Sequence, residues 1–293
     1  MNISSLIVTH NRLEKLKKTI QATLALPFKY VVVVDNASSD GTTEWLKENI
    51  DERLIVISNS VNSGGAGGFK HGSNWIVKNL KVDWILFYDD DAFPKDDFFV
   101  KISDSNISKD KVYACNVIDT TGIRCGMNIP WKKYPKGLIS HLAYHFNPHD
   151  YVSNGEDSER IISLSFVGML ISFENLEKYY SYIDEELFIY FDDVYFSYHL
   201  CLNDVLMEFN PKATIVHDVS VSNRYIASWK IYFLIRNMLL AKKIFGKKTP
   251  FSRVYLFSRL LKYSLLSINH PDGKSYIKNF VKGLCDGLRT RRR

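Results

Sequence analysis

Apolar runs and amphipathic stretches alternate through the first third of the chain. "SSLIVTH" (4–10) reads as a buried strand, and "NRLEKLKKTIQATLAL" follows with Leu13, Leu16, Ile20 and Leu24 at helical spacing. "KYVVVVDNAS" predicts a second strand that ends in a polar turn. "TTEWLKENI" is then a helix with Thr42 or Thr43 available as its cap. "RLIVISNS" is a third strand. "GGAGGFKHGSNWIVKNL" reads as a glycine loop running into a helix, and "VDWILFYDDD" as a fourth strand. Strands that alternate with helices imply a parallel sheet with right-handed crossovers.

The pattern blurs from about residue 100 to 165. "VYACNVID" predicts a strand, whereas "TTGIRCGMNIPWKKYPKG" and "HLAYHFNPHDYVSNGED" read as long loops. Loops of that length inside a domain are commonly functional. "IISLSFVGMLIS" predicts a strand pair or bend around Gly168. "DEELFIYFDDVYFSYHLCLN" opens with acids and becomes helical, and "ATIVHDVS" is a short strand that ends at His217. Two or three helices complete the chain, and no internal repeat is visible.

Ligands of parallel α/β sheets bind outside the carboxyl ends of the strands. Thr9, His10, Asn11, Asp35, Asn36, Asn62 and the run Asp89–Asp90–Asp91 all fall at such ends. Three adjacent carboxylates after an apolar strand repel one another and are costly to desolvate. A divalent cation resolves the conflict, since Mn²⁺ and Mg²⁺ take oxygen ligands shared with substrate phosphates. Asp89 and Asp91 are two apart, so on an extended segment they point to one side and Asp90 to the other. The alternative is a solvated acidic loop. "NSGGAGGFKHG" (62–72) holds five glycines, which let backbone N–H groups approach a ligand or simply allow tight packing. It is neither a Walker motif nor a dinucleotide fingerprint.

Charge separates the chain into two parts. Residues 226–293 carry 16 Lys/Arg against Asp272 and Asp286, or +14, and residues 1–225 carry −8. Basic residues in the tail are interleaved with Leu, Phe and Tyr, the pattern of helices lying in an anionic membrane interface. Nothing in it matches a nucleic-acid-binding module, and an oligomer interface is the remaining alternative. No stretch is long and apolar enough to span a bilayer, and the first residues lack a signal peptide's basic start and long apolar core. The four cysteines have no CxxC spacing and read as reduced thiols. The expected location is cytoplasmic, peripheral on the inner face of the cell membrane.

The order "VTHNR", "VVVVDNASSDGT", "NSGGAGGF", "DDDA" and "FDDVYF" resembles the inverting family 2 glycosyltransferases of GT-A fold, over roughly residues 3–225. "GGAGGF" is similar to the galactofuranosyltransferase branch, and rhamnosyltransferases that use dTDP-rhamnose carry a related element. The resemblance implies a Rossmann-like mixed sheet, mainly parallel and flanked by helices, in a catalytic domain over 1–225, followed by a basic helical extension over 226–293. It implies transfer of galactofuranose from UDP-galactofuranose to a lipid-linked glycan of the cell envelope, in polysaccharide (O-antigen) biosynthesis. Rhamnosyl transfer, or non-catalytic nucleotide-sugar binding on the same fold, is the alternative.

The resemblance also assigns residues. Thr9, Asn11, Arg12, Asp35, Asn62, Gly65, Ala66, Gly67 and Asp90 would line the nucleotide and donor sugar. Asp89, Asp91 and His217 would hold Mn²⁺ or Mg²⁺. Asp193 would take the acceptor's proton, with Asp192 beside it; Tyr195 stands where the family usually has a further acid. Trp131, in a long loop, offers an aromatic face to an acceptor sugar, and Gly168 joins it on the acceptor side. The plain alternatives are loop packing for Trp131, an acid-decorated helix start for Asp192 and Asp193, a turn cap for Asp35 and a satisfied structural role for His217.

Overall fold

The computed structural model describes residues 1–49, 51–219 and 225–289. Apolar strands and amphipathic helices alternate first: β1 (Ile3–Thr9), α1 (Leu13–Leu24), β2 (Val31–Asp35), α2 (Thr42–Glu48), β3 (Leu54–Ser58), α3 (Gly64–Asn79) and β4 (Trp84–Asp89). The middle of the chain adds β5 (Ala92–Pro94), α4 (Phe98–Ser103), β6 (Lys111–Ile118), α5 (Leu138–Phe146), β7 (Glu159–Ile161), β8 (Met169–Ser172) and α6 (Phe173–Tyr179). It closes with α7 (Asp192–Leu202), β9 (Leu206–His217), α8 (Ser228–Phe245), α9 (Arg253–Leu266) and α10 (Gly273–Arg289).

Among the described residues the strands form one sheet in the order β3-β2-β1-β4-β8-β6-β9-β5, with β7 also on β9. β1 through β4 pair in parallel, and β8 runs antiparallel between β4 and β6. Both faces are buried, as a parallel sheet requires. Ile3, Ile7, Val31, Val33, Leu86 and Tyr88 pack on one side. Their alternate neighbours Leu6, Val8, Val32, Val34, Ile85 and Phe87 pack on the other. The mixed, mainly parallel sheet flanked by helices is the architecture expected.

Three local expectations are corrected. The glycine run is not a loop, because α3 begins at Gly64 itself. Its glycines let the helix lie directly on the sheet: a β-carbon at Gly68 would overlap Val8, and one at Gly72 would overlap Leu6. Neither Thr42 nor Thr43 caps α2; the cap position is Gly41, and the hydroxyls turn to Asp40 and Asp35. Part of the expected 141–157 loop is helical, in α5, whose apolar Leu138, Ile139, Leu142 and Phe146 are all exposed.

The chain divides into two compact units. The sheet unit comprises 1–132, 153–188 and 192–219. The second gathers 133–152 and 189–191 with the described part of the C-terminal segment. The boundary expected after residue 225 abuts residues 220–224, which lie outside the described residues. Within the second unit α10 packs on α8 through Gly283 and Gly287, where a β-carbon would lie 2.6 Å from the Tyr232 carbonyl oxygen and 2.9 Å from Leu239 Cβ.

Candidate active site

The parallel strands deliver their polar ends together, since Thr9 pairs with Asp35 and Val8 with Asp89 in the sheet register. β4 stops at Asp89, and Asp90 and Asp91 form the turn into β5. That turn, rather than a continuing extended strand, separates the three side chains. β5 then runs antiparallel to β9 with Ala92 opposite His217, which sets His217 next to Asp91. Ligand atoms of Asp89, Asp91 and His217 all lie within 4.8 Å of one another.

Charges in this cluster are balanced unevenly. Arg12 Nη1 donates to Asp90 Oδ1 at 3.1 Å and Asp91 Oδ2 at 2.6 Å. Asp90 also accepts from Thr9 Oγ1 at 2.8 Å and is buried. His217 Nε2 lies 3.2 Å from Asp91 Oδ1, but the contact fails as a hydrogen bond on geometry, so that buried oxygen has no hydrogen-bond donor. Burial and the charge of Asp91 push the Asp89 carboxyl up to about 7, although Asp89 keeps some solvent contact. Burial works to raise the Asp91 carboxyl too, but His217 and Arg12 outweigh it and hold it below its ordinary value. Burial alone would lower the His217 imidazole; Asp91, aided by Cys125 and Asp89, instead raises it to about 10. Two carboxylates, one of them with a buried oxygen that has no hydrogen-bond donor, and one imidazole are a set that suits a divalent cation. Asp89, Asp91 and His217 could therefore hold a metal ion.

The glycine segment is built around Asn36, which the sequence places at the polar end of the second strand. Its side chain is buried and donates to Asn62 Oδ1 and the Gly64 carbonyl, at 3.2 and 2.8 Å. Asn36 Oδ1 accepts from Asn59 Nδ2, Ser63 N and Ser63 Oγ. The end of β2 is thereby tied to the start of α3. Asn62 Oδ1 also accepts from Gly64 N at 2.8 Å. Gly65, Ala66 and Gly67 form the first turn of α3, and Ala66 N donates to the Phe188 carbonyl at 3.1 Å. Asp35 is engaged by the chain itself, accepting from Ser38 N and Thr43 Oγ1. Asn11, at φ 53°, accepts from Ser39 N at 2.7 Å.

Asp192 and Asp193 open α7, where the helix dipole favours anions. A β-carbon on Gly65 would lie 3.8 Å from Asp192 Oδ2, so this acid borders the start of α3. Phe188, Tyr190 and Phe191, just before the pair, have φ of 65–67°, a left-handed conformation costly for aromatic residues. The two acids differ in environment. Burial, then the charge of Asp193, drives the Asp192 carboxyl well above its ordinary value. Burial raises Asp193 as well, but the Val194 amide and the Ser165 hydroxyl favour its charged form. Both carboxyls are raised, Asp192 the more strongly of the two.

Trp131 is half-buried, with its backbone bridged to Ser163. Gly168, at φ 87°, lies in the turn before β8 with its N–H on the Phe87 carbonyl, and a β-carbon there would meet Cys115, Val117 and Ile215. The Asp89–Asp91–His217 group includes neither of them. Asn128 and Ser165 were not anticipated: Asn128 Oδ1 is 2.9 Å from His217 Nδ1, and Asn128 Nδ2 donates to Ser165 Oγ. No periodic or compositional signal marks either one.

Residues 4–126, which span β1 to the turn after β6, match the family described as Glycosyl transferase family 2. The fold of the chain is shared with GalNAc-T7, in a crystal structure with UDP, GalNAc and Mn²⁺, at a TM-score of 0.62 and 14% identity over 98% of this chain and 55% of that one. It is shared also with residues 1–349 of S. aureus TarS, at a TM-score of 0.53 and 18% identity over 97% of this chain and 81% of that one. This chain spans about half the length of the GalNAc-T7 chain. No curated protein matches it by sequence. In this GT-A domain, Thr9, Asp35, the Asn62–Gly68 segment and the three aspartates lie at the carboxyl edge of the parallel strands, or directly after it.

Proposed function

We propose that this protein is a metal-dependent, inverting glycosyltransferase that moves galactofuranose from UDP-galactofuranose to a lipid-linked cell-envelope glycan. The observation that carries the reading is the Asp89–Asp91–His217 group at the carboxyl edge of a GT-A sheet. The two-carboxylate start of α7, bordering the glycine-rich start of α3, supports it.

Asp89, Asp91 and His217 would hold Mn²⁺ or Mg²⁺, which when bound supplies a Lewis acid for the departing diphosphate. The Mn²⁺ and UDP in the GalNAc-T7 structure support a nucleotide-sugar donor and that ion. Thr9, Asn11, Arg12, Asp35, Asn62, Gly65, Ala66, Gly67 and Asp90 bind the nucleotide and donor sugar in this reading. Asp193 takes the proton from the acceptor hydroxyl as it attacks the anomeric carbon, and displacement inverts that centre. Asp192 holds an acceptor hydroxyl, with Trp131 and Gly168 on the acceptor side. The "NSGGAGGF" run supports galactofuranose as the sugar.

Membrane association belongs to the same proposal. Among the described residues no helix is long and apolar enough to cross a membrane. The second unit nevertheless exposes large apolar side chains on α5 and α9, Ile139 at 84% and Phe257 at 70%, within a basic sequence. Such surfaces dock on anionic lipid. A catalytic domain over 1–225 served by a basic membrane-associating region over 226–293 is the organisation proposed.

A donor screen tests the reading. The purified chain with Mn²⁺ and an undecorated glycolipid acceptor should release nucleotide from UDP-galactofuranose, and chelation should stop it. Asp193→Asn should lower the rate by about 10²-fold or more while the protein stays folded. Turnover of dTDP-rhamnose instead would reassign the donor. Thermal stabilisation by UDP with no transfer from any donor would make the protein a non-catalytic binder.

A further inference from the structure

A chain of side-chain hydrogen bonds runs from His217 to Ser165. His217 Nδ1 lies 2.9 Å from Asn128 Oδ1, and Asn128 Nδ2 donates to Ser165 Oγ at 2.9 Å. Val167 N donates to the same Ser165 oxygen at 3.2 Å. A serine hydroxyl has one proton and two acceptor positions. Asn128 Nδ2 and Val167 N fill both acceptor positions of Ser165. The Asn128 amide thus turns its NH2 to Ser165 and presents its oxygen to His217 Nδ1.

An oxygen facing Nδ1 requires the ring proton there. In neutral His217 the lone pair is then on Nε2, the atom 3.2 Å from Asp91 Oδ1. Imidazole ligands of metal ions are commonly oriented in this way by a partner on the second nitrogen. Asn128 is 7% exposed and is delivered by the short turn Gly126–Asn128, in which Asn128 N donates to the Cys125 carbonyl. Cys125 Sγ is 3.9 Å from the same ring nitrogen, so the turn encloses that side of the imidazole.

We propose that Asn128 is a positioning residue of the metal centre: held by Ser165, it presents the His217 Nε2 lone pair to the ion. The inference rests on the metal reading of Asp89, Asp91 and His217, and it assigns Asn128 no contact with ion or substrate.

The test is Mn²⁺ titration of the full chain, with free ion read by electron paramagnetic resonance. Asn128→Leu removes the acceptor at similar volume and should weaken Mn²⁺ binding by about 10–100-fold. Asn128→Asp keeps an acceptor for Nδ1–H and should stay within about threefold of the unaltered chain. Circular dichroism and thermal unfolding confirm that both variants are folded. Asn128→Leu binding as tightly as the unaltered chain would overturn the inference alone. So would Asn128→Asp falling as far as Asn128→Leu, because the retained acceptor would then not be what supports binding. Failure of the unaltered chain to take up Mn²⁺ would overturn the metal reading, and the inference with it.

Discussion

Arg12 Nη1 stands 2.6 Å from Asp91 Oδ2, a half-exposed guanidinium closing over a buried carboxylate. The same nitrogen reaches Asp90, so one cation serves two acids and leaves Asp91 Oδ1 for another positive partner. Removing one member of a fully buried pair costs several kcal/mol, and solvent at Arg12 reduces that. Arg12→Leu should destabilise the protein by about 1–3 kcal/mol. Saturating Mn²⁺ should recover part of the loss, because the ion supplies charge to the same carboxylates. Thermal unfolding with and without Mn²⁺ checks this; equal losses in both conditions would contradict a shared charge role.

Gly64 has φ of 71°, and a β-carbon there would overlap the carbonyl group and ring of Phe188. Gly64→Ala should therefore cost about 2–4 kcal/mol, through backbone strain and through displacement of Phe188. Gly122, with φ of 86° and open space around it, is the control, and Gly122→Ala should cost about 1 kcal/mol from strain alone. Urea denaturation of both variants measures the difference, which should lie at Gly64 whatever the protein's substrate proves to be.

The acids that open α7 predict a dependence of stability on pH. Asp192 has its carboxyl raised in the fold, by burial and then by Asp193. In the unfolded chain it ionises near its ordinary value, about 3.9. The fold is therefore favoured at low pH, where the group is protonated in both states. That advantage is lost as pH rises through the folded-state value. Asp192→Asn removes the penalty, so its melting temperature should exceed that of the unaltered protein by about 2–6 °C at about pH 8 and converge with it at about pH 4. Scanning calorimetry across that range decides the sign. In the same pH series, turnover should fall on the acid side above the usual carboxylate range, because Asp193 is raised too.

The exposed apolar side chains of α5 and α9 predict lipid binding. The full chain should co-sediment with vesicles containing anionic lipid and much less with neutral ones, and salt should weaken the association. Phe257→Asp with Leu261→Asp, both exposed positions on α9, should reduce binding by about tenfold without changing thermal stability. Undiminished binding of the double variant would move the contact away from α9.

The strand–helix alternation over β1 to β4 was legible because each segment satisfies its burial with near neighbours in sequence. A strand such as Val31–Asp35 is apolar throughout because both faces of the sheet are covered. α5 was not legible, because its apolar face is exposed and its turn of His, Asn and Pro reads as a loop. Asp89, Asp91 and Asp193 could be singled out because acids that follow or open hydrophobic elements have few uses other than binding and catalysis. Asn128 and Ser165 could not, because an amide or hydroxyl acquires a role only from the groups it meets.

By itself the sequence determined the strand ends at which polar groups collect, the excess of carboxylates there and the concentration of basic charge in the tail. These are local properties, set by side-chain type and spacing. Only the tertiary structure decided which cation answers which acid. The pairing of β5 with β9 sets His217 against Asp91, the packing of α1 beside β4 brings Arg12 to Asp90, and the turn at Asn128 selects the nitrogen of His217 that faces them. Such choices depend on sheet register between segments far apart in the chain, where a shift of one residue would point each side chain to the opposite face.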